Sequence, residues 1–171
     1  VKLPCATHLV VLCRSEEQAR QALEKIGDFA KANGLTLHPE KTRIVDWRQA
    51  GGFDFLGYHF ERGMKWPRKR SLAKLKETIR VKTRRNEGRS LTTICEDLNG
   101  VLQGWFEYFK HSKSNVFERV DGYTRARLRS ILRKRRGGKG RGRGCDHHRW
   151  TNAFFHAHGL RSLVASYRAA L

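Results

Sequence analysis

The spacing of apolar residues predicts a long amphipathic helix near the middle of the chain. Across residues 90–109, apolar side chains recur every three or four positions, which places them on one face of an α-helix. That face consists of Leu91, Ile94, Cys95, Leu98, Leu102, Trp105 and Phe109. Ser90 precedes the run and can accept a hydrogen bond from a free N–H group of the first turn. We expect this helix to form the centre of a helical domain.

Three further helices are predicted around this central one. The first follows Ser71, and the second is opened by Asn115, with Glu118 three residues later as in a capping box. The third covers residues 151–170 and is expected to break near Gly159. The inward faces of the first two consist of Leu72, Leu75 and Ile79, and of Val116, Val120, Tyr123, Leu128, Ile131 and Leu132.

The first third of the chain shows a mixed pattern. The apolar run at 8–13 is rich in valine and leucine, as buried strands are. Ser15 begins a capping-box helix, which ends near Ala32 because Gly34 can adopt the left-handed conformation. Further strands are predicted at 35–37, 42–45 and 53–60, the last leading into a hairpin at Arg62-Gly63. This order predicts a fragment of an α/β sheet, and the fold class expected for the whole chain is α+β.

Charge separates the two parts of the chain more sharply than the apolar pattern does. The sequence has 36 Lys and Arg against 16 Asp and Glu, a net charge of +20. Residues 1–64 hold nine basic against eight acidic residues, whereas residues 65–171 hold 27 against 8. A positive excess confined to one part indicates a surface for a polyanion, and the aromatic residues among the basic ones favour nucleic acid.

Other features narrow the cellular setting. No apolar run reaches the roughly 20 residues that span a bilayer, so no membrane partner is expected. The apolar stretch at the start of the chain lacks a basic leader and a small-residue cleavage site, so secretion is not expected. The four cysteines contain no CxxC pair and are interpreted as reduced thiols. We expect a bacterial cytoplasmic or an organellar protein.

The predicted nucleic-acid surface follows two neighbouring helices and the loop after them. Its candidate residues are Lys69, Arg70, Lys74, Arg80, Arg84, Arg85, Arg125, Arg127, Arg129, Arg133, Lys134, Arg135 and Arg136. The alternative is that these residues are only the solvent-exposed, hydrated faces of helices and bind no partner. Residues 133–143 carry seven basic residues and four glycines, which predicts a flexible polycationic loop.

Two other groups of residues are candidate sites. Cys145, Asp146, His147 and His148, with the histidines at 156 and 158, do not match the spacing of the common zinc sites, so no metal site is expected. Among the aromatics of the central helix, Trp105 and Phe109 are expected in the core, and base stacking by Tyr108 stays open.

Several motifs together resemble group II intron-encoded reverse transcriptases. LTLHPEKTR, followed by FDFLGY, is similar to the end of the palm domain of that family. Leu98, Asn99, Leu102, Gly104, Trp105, Tyr108 and Phe109 follow the pattern LN-x-x-L-x-GW-x-x-YF of its maturase-specific region, domain X. The resemblance covers residues 5–170. It implies a partial palm over residues 1–66 and a helical, thumb-like maturase domain over residues 67–171.

The same resemblance implies roles for particular residues. Phe55, Leu56, Gly57 and Tyr58 correspond to the hairpin that supports the primer end in the family. Cys5-Ala6-Thr7-His8 stand where the family has Tyr-Ala-Asp-Asp, whose aspartates bind catalytic Mg²⁺. We therefore expect no catalytic residue, no metal and no cofactor here. Lys41 matches a family lysine close to the incoming nucleotide, and without the metal site no catalytic role is expected for it.

The resemblance predicts RNA binding by a maturase-like domain that assists the folding and splicing of a group II intron, without independent polymerase activity. Three alternatives stay open. The chain could need an upstream half for reverse transcription, it could be a non-functional remnant of a mobile element, or its partner could be DNA. Self-association through an exposed palm surface is a further expectation.

Overall fold

The computed structural model describes residues 9–86 and 88–171. The elements are α1 (Glu16–Ala32), β1 (Phe53–Phe55), β2 (Tyr58–Glu61), β3 (Met64–Pro67), α2 (Lys69–Lys82), α3 (Leu91–Phe109), α4 (Asn115–Arg135), α5 (Gly144–Arg149), α6 (Asn152–Ala157) and α7 (Leu163–Ala169). The chain divides into two compact units between Met64 and Lys65, and each is described by itself. With seven helices and one small sheet in the described part, the fold is α+β, as predicted.

The first helix of the N-terminal unit forms as the sequence predicts. The Ser15 hydroxyl accepts a hydrogen bond from the Gln18 backbone N–H at 3.3 Å, and the Arg14 N–H donates to the Gln18 side chain at 3.1 Å. At the other end Gly34 adopts a left-handed conformation with φ of 66°. Local capping therefore sets both ends of α1.

The strands predicted at 8–13, 35–37 and 42–45 are wrong for every residue described there. Residues 9–13 have no strand conformation, and Leu9 and Leu12 are 66% and 86% exposed. Leu35 is likewise 59% exposed. A strand needs a neighbour to pair its backbone groups, and no segment in the described part of the chain pairs with these residues. Residues 1–8, which include the Cys5–His8 segment, lie outside the described residues.

The hairpin region contains three strands where two were predicted. β1, β2 and β3 form an antiparallel sheet in that order. The predicted strand at 53–60 is broken by a turn, because Leu56 and Gly57 both have positive φ, 45° and 81°. The predicted turn at Arg62-Gly63 is confirmed, with φ of 51° and 72°. Both turns have positive φ at both central residues, as the type I′ turns of two-residue hairpins require.

The centre of the C-terminal unit is α3, as the apolar spacing predicts. Ser90 caps the helix by accepting a hydrogen bond from the Thr93 N–H at 3.1 Å. Its buried residues are Leu91, Ile94, Cys95, Leu98, Leu102, Phe106 and Phe109. Phe106 was not predicted as a core residue. Trp105, which was predicted in the core, is half-buried and packs against the core from its edge. The central helix thus buries a slightly wider face than the spacing indicates.

The neighbouring helices differ from prediction mainly at their ends. α2 begins at Lys69 with Arg68 at the cap position, so Ser71, which was predicted as the cap, lies inside its first turn. Asn115 is the first residue of α4 and not its cap, and no side chain caps that end. The predicted last helix breaks near Gly159, which has a φ of 83°, into α6 and α7. The short helix α5 was not predicted. No helix in the described part of the chain has the length and apolar character needed to cross a membrane.

A buried carboxylate joins α4 to the start of α7. Asp121 is 3% exposed, and it accepts hydrogen bonds from the Ser162 hydroxyl at 2.6 Å and from the Leu163 N–H at 3.0 Å. The Arg125 guanidinium lies 3.5 Å from the same carboxylate. Asp121 therefore satisfies backbone and side-chain donors at the first turn of α7, where helices leave N–H groups free.

The core position of Cys95 predicts an unreactive thiol. Burial, with a smaller contribution from the charge of Glu96, raises the pKa of Cys95 to about 11. Since the thiolate is the nucleophile, we expect Cys95 to react with iodoacetamide at pH 8 roughly 10²-fold more slowly than an exposed cysteine. Peptide mapping by mass spectrometry measures this, with the exposed Cys145 as internal control. Equal labelling of the two in the folded protein would contradict the burial of Cys95.

Candidate nucleic-acid interface

The outward face of α2 carries a row of exposed basic side chains. Leu75 and Ile79 point into the core, so helical periodicity turns Lys69, Arg70 and Lys74 to solvent. Within the described residues these three side chains have no ion pair or hydrogen bond. They are free to contact an anionic partner, and we call them the α2 basic face.

Arg127 is placed differently from the α2 basic face. Its Nε donates to the Thr83 hydroxyl at 3.0 Å, and its Nη2 donates to the Thr83 carbonyl at 2.6 Å. Thr83 is buried and follows the last residue of α2. Arg127 therefore satisfies carbonyl groups that the end of α2 leaves free, and it ties α4 to α2.

Arg129 corrects the predicted surface. Its side chain is buried, with the residue 6% exposed, and its Nε donates to the Trp150 carbonyl at 2.9 Å. Its guanidinium lies 5.3 Å from the centre of the Phe155 ring. Burial, together with the charge of Arg125, lowers the pKa of Arg129. Because these contacts occupy the guanidinium inside the unit, Arg129 holds α4 to the segment after α5 and does not face a partner.

The loop predicted to be flexible is instead closed onto Arg133. The Arg133 Nε donates to the Lys139 carbonyl at 2.9 Å, and its Nη1 lies 2.8 Å from the Asp146 carboxylate. The Gly138 N–H donates to the Arg133 carbonyl at 2.9 Å, and a Cβ on Gly138 would meet Arg133 Cγ at 2.7 Å. The glycine is needed for this close approach. Arg133 thus holds the loop in place, and its contact with nucleic acid stays a prediction.

The remaining candidate residues fall into two groups. Arg84 and Arg136 are exposed, and Arg80 is exposed and paired with Glu77 at 3.2 Å. The others each contact the protein while keeping part of the side chain accessible. Arg85 donates to the Ser130 hydroxyl at 3.2 Å, Lys134 donates to the Asn86 side chain, Arg135 donates to the Arg89 carbonyl, and Arg125 lies near Asp121. Lys139 and Arg141, exposed in the same loop, were omitted from the prediction.

Part of the C-terminal unit is similar to a known protein family. Residues 72–150 match the model described as group II intron, maturase-specific domain. The match covers just under half of the chain. The match supports a group II intron maturase-like role. The chain has no match among the curated proteins.

The matched maturase-specific domain contains most of α2, all of α3 and α4, and the closed loop. The motif residues of α3 have separate places in it. Phe109 is in the core, as predicted, and Trp105 packs against its ring at 4.9 Å. Asn99 donates to the Gly159 carbonyl at 2.7 Å and accepts from the Arg161 N–H at 2.9 Å. Tyr108 is 54% exposed, so it is the aromatic residue of this motif that lies at the surface.

The primer-grip-like residues lie in the other unit, at the tip of a hairpin. Phe55 ends β1 and pairs with Tyr58, the first residue of β2. Leu56 and Gly57 form the turn between them, and Leu56 is 66% exposed. The structure therefore presents Leu56 on a tight turn, and a role in primer support stays a prediction.

No metal centre is found in the part of the chain that the structure describes. No three His, Cys, Asp or Glu side chains there are grouped so that they could hold an ion. Cys145 is exposed, and Asp146 already contacts Arg133 and the Arg143 N–H, at 2.8 and 2.7 Å. The position of Asp146 in α5 is thus explained by its contacts with Arg133 and Arg143.

The position of Asp146 predicts that the loop is sensitive to acid. The Arg143 N–H, followed by Arg133, lowers the pKa of Asp146. A lowered pKa contributes stability that is present above the unfolded value, about 3.9, and is lost as the pH falls through the folded value. The wild type is therefore expected to have a larger free energy of unfolding than Asp146→Asn at pH 5. We expect this difference to decrease as the pH falls through the pKa of Asp146 in the folded protein.

Urea unfolding at successive pH values between about 5 and 2.5 measures that difference. Asp28→Asn, at an exposed position on α1, is the matched control. Its difference from the wild type in free energy of unfolding is not expected to decrease over these pH values. A constant difference between wild type and Asp146→Asn across the whole range would contradict the assignment.

Proposed function

We propose that this chain binds structured RNA, namely group II intron RNA, and assists its folding and splicing. The proposal is carried by one coincidence. The residues that match the maturase-specific domain include Lys74 of the α2 basic face and the whole closed loop, and Lys69 and Arg70 lie just before the match. The charge of residues 65–171, 27 basic against 8 acidic residues, gives the C-terminal unit a strongly positive character.

The mechanism proposed is electrostatic, combined with recognition of shape. Each lysine or arginine that neutralises a phosphate releases condensed counterions, so the affinity falls as salt rises. The helix that carries the α2 basic face is packed on the core through Leu75 and Ile79, so the positions from which its three side chains extend are fixed. Charges that extend from fixed positions favour RNA whose phosphates are already arranged to match them. Binding would then stabilise the folded state of the intron relative to its unfolded states.

The splicing role is tested on a group II intron RNA at a Mg²⁺ concentration at which unaided splicing is slow. We expect the protein to increase the first-order splicing rate, since stabilising the folded RNA replaces part of the effect of Mg²⁺. Polylysine of matched total charge is the control for non-specific charge neutralisation. No acceleration, or an equal acceleration by polylysine, would contradict the proposed function.

We also propose that residues 1–66 correspond to the end of a reverse-transcriptase palm and residues 67–171 to its thumb-like domain, without independent polymerase activity. The LTLHPEKTR and FDFLGY motifs support this, as does a boundary between units at Met64 and Lys65. The replacement of the family's aspartates by Cys5-Ala6-Thr7-His8 argues against metal-dependent polymerisation, alone or with an upstream half. RNA is favoured over DNA by the match to a maturase domain.

Exposed apolar side chains in the N-terminal unit support self-association. Leu12, Phe29 and Leu35 are 86%, 66% and 59% exposed. Burying such surface is favourable at about 25 cal/mol per Å² of apolar area, so we expect a concentration-dependent rise in the sedimentation coefficient. A Leu12→Ser, Phe29→Ser double variant should reduce that rise. A monomer that sediments identically at all concentrations, for both proteins, would contradict this prediction.

A further inference from the structure

Four arginines line one open cleft in the C-terminal unit. The cleft has a volume of about 630 Å³ and lies between the last turn of α2, the residues that follow it, and α4. Its arginines are Arg80, Arg84, Arg85 and Arg127, and Glu77 is the one carboxylate that lines it among the residues that the structure describes. The positive charge in this cleft is therefore only partly compensated.

Contacts with the protein hold two of these arginines in place. Arg127 donates to the carbonyl and hydroxyl of Thr83, and Arg85 uses its Nε on the Ser130 hydroxyl at 3.2 Å. Each of these two guanidinium groups keeps N–H donors that these bonds do not use. The cleft thus has fixed cationic walls whose remaining donors can bind a ligand.

The other two arginines are at the surface of the cleft. Arg80 pairs with Glu77 at 3.2 Å, but both side chains are more than half exposed, and such pairs contribute little. Arg84 is exposed, and no hydrogen bond or ion pair holds it within the described residues. Arg84 can therefore move to close over a ligand without breaking a contact.

The local electrostatics agree with an anion site. Burial lowers the pKa of Arg127, and the positive charges of Arg85 and Arg80 act in the same direction. The like charges that line the cleft destabilise one another, and a bound anion would reduce that repulsion. The planar guanidinium fork matches the geometry of phosphate oxygens, and the volume lies in the range of pockets for small ligands.

We infer that this cleft binds a phosphate group of the RNA backbone, with Arg84 closing over it. The inference rests on the proposed function, since it names one place at which the RNA is held. The cleft and the α2 basic face would bind RNA differently. The cleft would hold one phosphate in a defined position, whereas the exposed side chains of the α2 basic face would contact successive phosphates along a strand. Free phosphate offers the same oxygens, so the test has two arms.

The first arm needs no RNA. Thermal unfolding is measured in inorganic phosphate and in chloride at equal ionic strength, for the wild type, Arg84→Ala and Arg168→Ala. Arg168 is exposed on α7 and lies outside the cleft, so its removal is a matched loss of one charge. We expect phosphate to raise Tm in the wild type and Arg168→Ala by more than in Arg84→Ala. An identical rise in all three would overturn the phosphate site.

The second arm measures affinity for a structured RNA over a salt series. We expect Arg84→Ala to lower the affinity roughly tenfold at about 0.1 M salt and to lower the salt slope by about one, with a smaller effect of Arg168→Ala. Equal losses in both variants would overturn the assignment to RNA, even if phosphate stabilises the protein. A wild type that binds no RNA would instead overturn the proposed function, and the phosphate arm would still decide whether the cleft binds an anion.

Discussion

Replacing Lys69, Arg70 and Lys74 together by alanine is expected to lower the affinity for structured RNA roughly 10²-fold at about 0.1 M salt. The three side chains form the α2 basic face, and no contact within the described part of the chain competes for them. Each lost phosphate contact removes a counterion-release contribution, so the slope of log affinity against log salt should fall by about two to three. Filter binding or fluorescence anisotropy across a salt series measures both quantities.

The matched control removes three charges from the other unit. Lys25→Ala, Lys31→Ala and Arg48→Ala change exposed residues of the N-terminal unit and reduce the net charge by the same amount. We expect this variant to keep most of the affinity and the slope. If both triple variants weaken binding equally, only the overall charge matters, and the α2 basic face has no special role.

Asp121→Ala is expected to destabilise the C-terminal unit by about 3 kcal/mol. The substitution leaves the Ser162 hydroxyl and the Leu163 N–H without their acceptor, and it removes the negative partner of Arg125. Leu163 is fully buried, so water cannot replace the lost carboxylate at its N–H without opening the first turn of α7. Urea unfolding followed by tryptophan fluorescence measures the loss.

Two further variants separate the hydrogen bonds from the general effect of losing a carboxylate. Asp121→Asn keeps one carbonyl acceptor and should destabilise the unit less than Asp121→Ala does. Asp28→Ala, at an exposed position on α1, should change the free energy of unfolding by no more than about 0.5 kcal/mol. A loss below about 1 kcal/mol for Asp121→Ala would show that this buried carboxylate does not anchor α7.

The helices could be predicted well because their signals are local and periodic. The apolar spacing over α3 found most of the buried face, since a helix that packs on its neighbours must turn those residues inward. Ser15 and Ser90 marked helix starts because a hydroxyl before an apolar run can satisfy a free N–H group. Gly159 marked the last break because its left-handed conformation is costly for other residues.

The predicted strands failed for the opposite reason. A strand is stabilised by its neighbour, and the apolar run around Leu9 and Leu12 does not say whether a neighbour is present. The break at Leu56–Gly57 did have a signal, because a glycine within a strand pattern often marks a turn or a bulge. The alternation of aromatic residues hid that signal.

The candidate site was only partly predictable, because charge does not reveal direction. Arg70 and Arg129 are the same residue type in the sequence. Arg70 is exposed, whereas Arg129 is buried against the Trp150 carbonyl and the Phe155 ring. The loop after α4 likewise looked flexible from composition, and its order depends on Asp146, a partner 13 residues from Arg133.

The central claim is that the C-terminal unit recognises group II intron RNA and not merely negative charge. The most direct test is the affinity of the purified chain for a structured group II intron RNA and for an unrelated structured RNA of the same length, across a salt series. We predict that binding to both weakens as salt rises, and that the preference for the intron RNA persists. Equal, salt-sensitive binding to both RNAs would contradict the account and would indicate a remnant in which only the charge is retained.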